Sequence, residues 1–402
     1  ILTALEFKVE PEAEGVWRVT TPPHRTDIQE GEADLIEELA RVHGYDRLPE
    51  TLLAAELPEQ RDNRDLMNEE QTRDLLANAG LQEVVTYSLT TPEREAPLRM
   101  SQEEYAELLR LAPHEREQML RERFEYVRLL NPISAERTVM RQVLLPGVLD
   151  VAAANLRHTD TVKLFEAGPV YIPKAGEKLP DEPRRLAVVL TGRRLPPAWD
   201  DPLDQKPAKL DFFDLKGVIE ELAEGLHLGT GCRATRAVPY LHPGRAAELV
   251  LGDRPVGVFG ELHPKTAEAF GLGDRAVLVA ELDLDAILAA IPERSPYVPV
   301  PRFPAALRDV AVIVDEGVPA ERVAAELRAG GGELLRAARL FDVYQGPSIP
   351  PGKKSLAYAL TYQAEDRTLT DKEVDKVHKK IEDRLVHVLK AQIRGKEGGP
   401  GA

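Results

Sequence analysis

Four carboxylates near the start of the chain stand at spacings that could gather a hard cation. Asp34, Glu37 and Glu38 recur with the period of one helix side, and Asp27 lies just upstream. Together they could offer Mg²⁺ the oxygen donors it prefers. Acids in the first turns of a solvated helix, answering its dipole, would give the same pattern. A second group is basic. Lys372, Lys376, Lys379, Lys390 and Arg394 line the side of a helix opposite the apolar stripe Val374, Val377, Ile381, Leu385 and Val388, with Asp383 interrupting them. On a small sandwich with an open sheet such a stripe is an RNA footprint, although any amphipathic helix shows a solvated outer face. Gly330, Gly331 and Gly332 follow a helix and precede a strand, the reverse of a phosphate loop, and stop the helix. Cys232, the only cysteine, is expected as a small apolar residue in a core. No Walker A, GxGxxG, HExxH or GxSxG pattern occurs, and no catalytic residue is assigned.

The elements that must position these residues fall into blocks. Residues 1–53 hold a short strand over 17–20, a proline-stiffened segment at 21–25, and a helix over 33–43 closed by Gly44. Leu35, Ile36, Leu39 and Val42 form its apolar stripe, with Asp34, Glu37, Glu38 and Arg41 opposite. Pro49 opens an acidic-polar linker running to Asn63. Residues 62–291 read as a mixed domain: a helix over 66–79, a strand over 83–89, a charge-rich helical excursion over 93–124, strands over 185–191, 248–251, 256–262 and 276–282, and a helix over 214–226. Runs of strands favour an antiparallel α+β sheet. A proline-rich linker at 292–301 leads to a domain at 302–394 with strands over 309–314, 338–344 and 355–362 and helices over 319–329 and 371–393. Leu356, Tyr358, Leu360 and Tyr362 alternate on one face, and Thr370 with Glu373 forms a capping box. This order suggests a ferredoxin-like sandwich with one open sheet face, followed by a disordered tail at 395–402.

Composition narrows the function classes. The 402 residues are 43% hydrophobic and 30% charged, as in ordinary globular proteins. No run of about 18 apolar residues is present, so no helical membrane span is expected, and cysteine usage suits a reducing cytoplasm. A net charge of −16 argues against non-specific coating of nucleic acid. From residue 300 onward, 17 Lys/Arg face 15 Asp/Glu, leaving 35 against 53 in the first 299. The last domain can therefore approach phosphates with least repulsion. The chain opens at Ile1, as if partway through an element, and is expected to be a fragment.

An ordered series of local sequences resembles the β-subunit of bacterial-type phenylalanyl-tRNA synthetase. Pro22-Pro23-His24-Arg25-Thr26-Asp27 and the stretch from Asp34 to Tyr45 are similar to its B5 domain. Leu130-Asn131-Pro132-Ile133-Ser134, Leu145-Pro146-Gly147-Val148-Leu149, Leu164-Phe165-Glu166-Ala167-Gly168, His242-Pro243-Gly244-Arg245 and Gly260-Glu261-Leu262-His263-Pro264 resemble its catalytic-like core. Arg302-Phe303-Pro304, Leu340-Phe341-Asp342-Val343-Tyr344, the stretch from Gly352 to Tyr358, and Arg367-Thr368-Leu369-Thr370-Asp371 resemble its anticodon-binding domain.

The resemblance implies an α+β, multidomain protein: a partial B5 domain (winged, DNA-binding-like), a non-catalytic core with the class II synthetase antiparallel sheet, and a ferredoxin-fold anticodon-binding domain. It implies a cytoplasmic subunit of phenylalanine–tRNA ligase that supports an α-subunit in an α₂β₂ heterotetramer and binds tRNA-Phe, without membrane or DNA. ATP is used by the α-subunit. Mg²⁺, shared with that subunit, would map onto Asp27, Asp34, Glu37 and Glu38, the loop from Asp27 to Asp34 being one residue longer than usual. Lys353, Lys354, Arg367, Lys372, Lys376 and Lys379 are the implied RNA contacts. No editing of mischarged tRNA is expected, because that domain is not in the sequence. A stand-alone RNA-binding module derived from such a subunit is the alternative.

Overall fold

The computed structural model describes residues 1–51, 54, 63–201, 207–295, 297 and 299–394. Most of the expected 49–63 linker, Pro296 in the proline-rich spacer and the whole 395–402 tail lie outside the described residues. The chain divides into two compact units, Ile1–Ile291 and Pro292–Ala402.

In the first unit a hairpin pairs Lys8–Ala13 with Val16–Thr20, and the helix Glu32–His43 follows. A seven-stranded sheet forms the main body. Its spatial order is Gln82–Glu83, Val162–Pro169, Arg184–Thr191, Val277–Asp283, Arg254–Leu262, Leu241–Leu251 and Thr230–Ala234. All neighbours are antiparallel except the first pair, which runs parallel. Apolar layers cover both faces. Leu278, Ala280 and Leu282 join Phe165, Val188 and Phe259 under the helices Arg64–Asn78, Phe212–Gly225 and Leu284–Ala290. Val277 and Val279 join Leu164, Ala187 and Val189 under Leu145–Asn155 and Pro264–Ala269. Burial on two faces is why this strand opens as the continuous run Val277-Leu278-Val279-Ala280.

The second unit is a four-stranded antiparallel sheet in the order Leu335–Tyr344, Lys353–Tyr362, Ala306–Asp315, Gln392–Ile393. Its two helices, Ala320–Gly331 and Asp371–Leu389, bury Val323, Leu327, Val374, Ile381 and Leu385 against Leu356, Tyr358, Leu360 and Tyr362. Tyr358 donates to the Ala320 carbonyl at 2.8 Å, and the Tyr362 hydroxyl lies 3.0 Å from His378 Nδ1. The Thr370–Glu373 capping box is present. Strand Leu335–Tyr344 shifts register at Leu335/Ala337 and again at Leu340/Asp342.

Several expectations change. The strand anticipated over 83–89 contributes only Gln82–Glu83 to the main sheet and Leu89–Thr90 to a separate ladder with Val139–Met140. The last helix ends at Leu389, where Lys390 turns left-handed at φ 53, so Lys390 and Arg394 leave the basic stripe. The 93–124 excursion folds as three helices, Pro92–Arg99, Gln102–Leu108 and Pro113–Arg123, around their own core of Ala96, Met100, Leu108 and Leu120. Cys232 is exposed, because it sits on the edge strand of the sheet.

Candidate functional site

The acidic segment is organised by Arg25. Its guanidinium holds Asp27 at 2.6 Å and Glu38 at 2.9 Å, while Arg41 grips Glu38 from the next turn at 2.6 Å. These bonds hold both carboxyls below their ordinary range, Glu38 through Arg41 and then Arg25, Asp27 through Arg25. Asp34 turns back on its own helix start. Gly31 offers no side chain to cap Glu32–His43, and Asp34 Oδ2 instead accepts the Gln29 and Glu30 amides at 2.6 and 2.7 Å. Glu37 is exposed.

The burial of this helix inverts expectation. Glu38 is only 6% exposed, whereas Ile36, Leu39 and Val42 are exposed. Ile36 and Leu39 line an open cavity of about 910 Å³ with Trp17 and Val19. Two guanidinium partners make the buried carboxylate tolerable. Hard carboxylate oxygens are the right donors for Mg²⁺. As arranged, they do not fit the ion: two carboxylates are taken by arginines and a third by amides. Among the described residues no group of three His, Cys, Asp or Glu is placed to hold a metal.

The six basic candidates are not brought together. Lys372, Lys376 and Lys379 are exposed on the outer side of Asp371–Leu389, across the sheet from its open face. Arg367 is spent on Glu373 at 2.9 Å and Asp366 at 3.1 Å. Lys353 Nζ lies 3.6 Å from Asp315, and Lys354 is half-buried on the same strand. The helix-free face carries a different set. Asp309, Ala359 and Arg339 form one cross-strand row, and Ala311, Ala357 and Asp342 the next. Phe341 is exposed beside the second register shift, and the Arg394 guanidinium lies 5.7 Å from the Tyr344 ring centre. Arg339, Phe341, Tyr344 and Arg394 escaped the sequence reading. The alternation that put Tyr358 inward also put Ala357 and Ala359 outward, and that was the available signal.

The main sheet holds a buried polar network. Arg141 meets Glu166 at 2.7 Å and donates to the Thr86 hydroxyl and the Pro169 carbonyl, each at 3.0 Å. Above it opens a cavity of about 650 Å³, lined by Thr86, Tyr87, Arg94, Arg137, Gly147 and Asp150. There Arg137 stacks on Tyr87 at 3.5 Å and Arg94 pairs with Asp150. Arg245 is neutralised by Glu261 at 2.7 Å. Deeper still, Glu281 accepts the Leu144 amide at 3.3 Å, and burial pushes its carboxyl up to about 7.

Three family profiles match in chain order: the tRNA synthetase B5 domain over residues 1–45, the phenylalanyl-tRNA synthetase beta chain CLM domain over 48–284, and the ferredoxin-fold anticodon binding domain over 301–394. The chain belongs to the phenylalanyl-tRNA synthetase β-chain family. Among its curated relatives are two phenylalanine–tRNA ligase beta subunits, each 41% identical. That of Symbiobacterium thermophilum aligns over 95% of this chain and 40% of its own length, and that of Moorella thermoacetica over 96% and 45%. A third, from Geobacter metallireducens, is 35% identical over 98% of this chain and 47% of its own. The chain thus spans less than half the length of these β-chain relatives. Family membership agrees with the α+β multidomain architecture seen here, an antiparallel main sheet followed by a ferredoxin-fold unit. No helix among the described residues is long and apolar enough to cross a membrane.

Proposed function

We propose that this chain forms the part of a phenylalanine–tRNA ligase β-subunit that supports the catalytic α-subunit and binds the anticodon region of tRNA-Phe during ATP-dependent aminoacylation. The observation that carries the reading is the helix-free sheet face of the second unit. Small residues at its centre let a base lie against the strands, and Arg339, Arg394, Tyr344 and Phe341 supply stacking planes and cations. This moves the expected RNA contact from Lys372, Lys376, Lys379, Lys353, Lys354 and Arg367 to the sheet. Activation of phenylalanine and use of ATP belong to the α-subunit, and this chain's residues bind and position.

A docking surface for that partner lies on the first unit. The loop closed by the Arg128–Val139 bridge presents Leu130 and Ile133 almost fully to solvent, and Val85 and Tyr87 are exposed beside the 650 Å³ cavity. Apolar groups presented in this way mark protein interfaces. An α₂β₂ assembly in the cytoplasm follows from the same reading. Asp27, Asp34, Glu37 and Glu38 are proposed as ligands of a Mg²⁺ shared with the partner, which requires Arg25 and Arg41 to give up their carboxylates. Co-expression with a phenylalanyl α-subunit tests the proposal. The wild-type chain should co-purify with it and Ile133→Asp should not. If the α-subunit is never retained, the subunit reading is lost.

A further inference from the structure

At the end of the main sheet where strand Arg184–Thr191 finishes, three cations surround one small cavity. Arg193, Lys209 and Arg275 line a space of about 240 Å³, with Asp160 the one acid among its lining residues. The placement is built. Gly192 adopts φ 109 and packs so closely that an added Cβ would stand 2.2 Å from the Asp160 carbonyl. This tight passage delivers Arg193, whose amide donates to Thr161 Oγ1 at 3.0 Å. Arg193 and Lys209 then face each other across an antiparallel bridge, fixed by Arg194 N–H to the Ala208 carbonyl at 2.9 Å and Leu210 N–H to the Gly192 carbonyl at 3.0 Å.

Like charges directly opposite on a ladder repel. Arginines nearby are neutralised, Arg184 by Glu69 and Asp285, Arg185 by Asp283, and Arg194 by Asp211 and Asp214. Arg193, Lys209 and Arg275 make no such ion pair among the described residues. In a unit dominated by acids, three uncompensated cations around one hollow call for an anion. We propose that this cavity is a phosphate-binding site for a backbone phosphate of the bound RNA. Guanidinium groups match phosphate geometry. The cavity lies below the roughly 300 Å³ at which sites for whole small ligands begin, which favours one group of a larger molecule reaching in.

The choice of RNA as the source rests on the function proposed above, whereas the anion site does not. Two measurements on the full chain separate them. Inorganic phosphate, compared with chloride at equal ionic strength, should raise the thermal midpoint of the wild type but not of the R193Q/K209Q double variant. For a tRNA-Phe transcript, the slope of log affinity against log salt should fall by about two in that variant, one per lost phosphate contact. Removing facing like charges relieves repulsion, so the variant should fold, and R193K should keep both responses. Phosphate stabilisation that the variant loses, with an unchanged RNA slope, would assign the site to a free phosphate ion and overturn the RNA source. Absence of phosphate-specific stabilisation together with an unchanged slope would overturn the site itself. A wild-type chain that binds no RNA at all would refute the RNA reading while the phosphate arm still decides the cavity.

Discussion

Arg141 and Glu166 meet with side-chain exposures of 6% and 2%, and Thr86 and the Pro169 carbonyl complete their hydrogen bonds. Removing one member of such a pair strands a buried charge. Arg141→Met should therefore lower the unfolding free energy by about 3–5 kcal/mol, read from urea melts. A loss under about 1 kcal/mol would mean that water reaches Glu166. Glu281 acts in the pH dimension. Glu95, Arg185 and Tyr240 face it electrostatically, and its own burial is the larger effect. Its folded value, about 7, lies above the ordinary 4.5, so the folded state binds the extra proton between those limits. Stability then falls as pH rises from about 4.5 to 7, by about 3 kcal/mol in all, and levels off above. Glu281→Gln should flatten that slope, and an unchanged pH profile would show the carboxyl to be solvated. Sequence spacing could name Asp27, Asp34, Glu37 and Glu38 but not their state, because the guanidiniums that engage them come from Arg25 and Arg41 on different elements. Arg25→Gln should free Asp27 and Glu38 and strengthen Mg²⁺ uptake measured by calorimetry. Uptake that is absent from both wild type and variant removes the metal from this segment.

At the scale of elements, legibility followed pattern strength. Alternation exposed the inward face of Lys353–Tyr362, and the capping box marked the start of Asp371–Leu389. The end of that helix was illegible, because the apolar and basic periodicity runs on past Leu389 while the chain turns at Lys390 to pair Gln392–Ile393 with the sheet. Helix Leu145–Asn155 was missed for the opposite reason. Pro146 and Gly147 resemble a turn, yet proline suits a first helical turn, and Gly147 is needed where a Cβ would stand 2.4 Å from Thr86 Oγ1. The placement of RNA on a sheet rather than a helix gives an element-level test. Arg339→Gln should reduce the salt slope of tRNA binding by about one, and Lys376→Glu should leave it unchanged. The reverse ranking returns the contact to the helix.

For the whole molecule, separate apolar cores in Ile1–Ile291 and Pro292–Ala402 imply separate cooperative units. Calorimetry should resolve more than one transition. Thr370→Ala, which deletes a helix cap, should lower only the transition of the second unit, by about 1 kcal/mol. A single transition shifted as a whole would show one cooperative block. The two register shifts in Leu335–Tyr344 carry a further consequence. That strand lies at the border of its sheet, with backbone groups that a second copy could recruit, and a straight ladder there would invite end-on zippering into fibrils. Two interruptions within ten residues, with Arg336, Arg339 and Asp342 between and beside them, deny a newcomer any continuous run of partners, so the face left bare for RNA can stay bare without templating its own polymer.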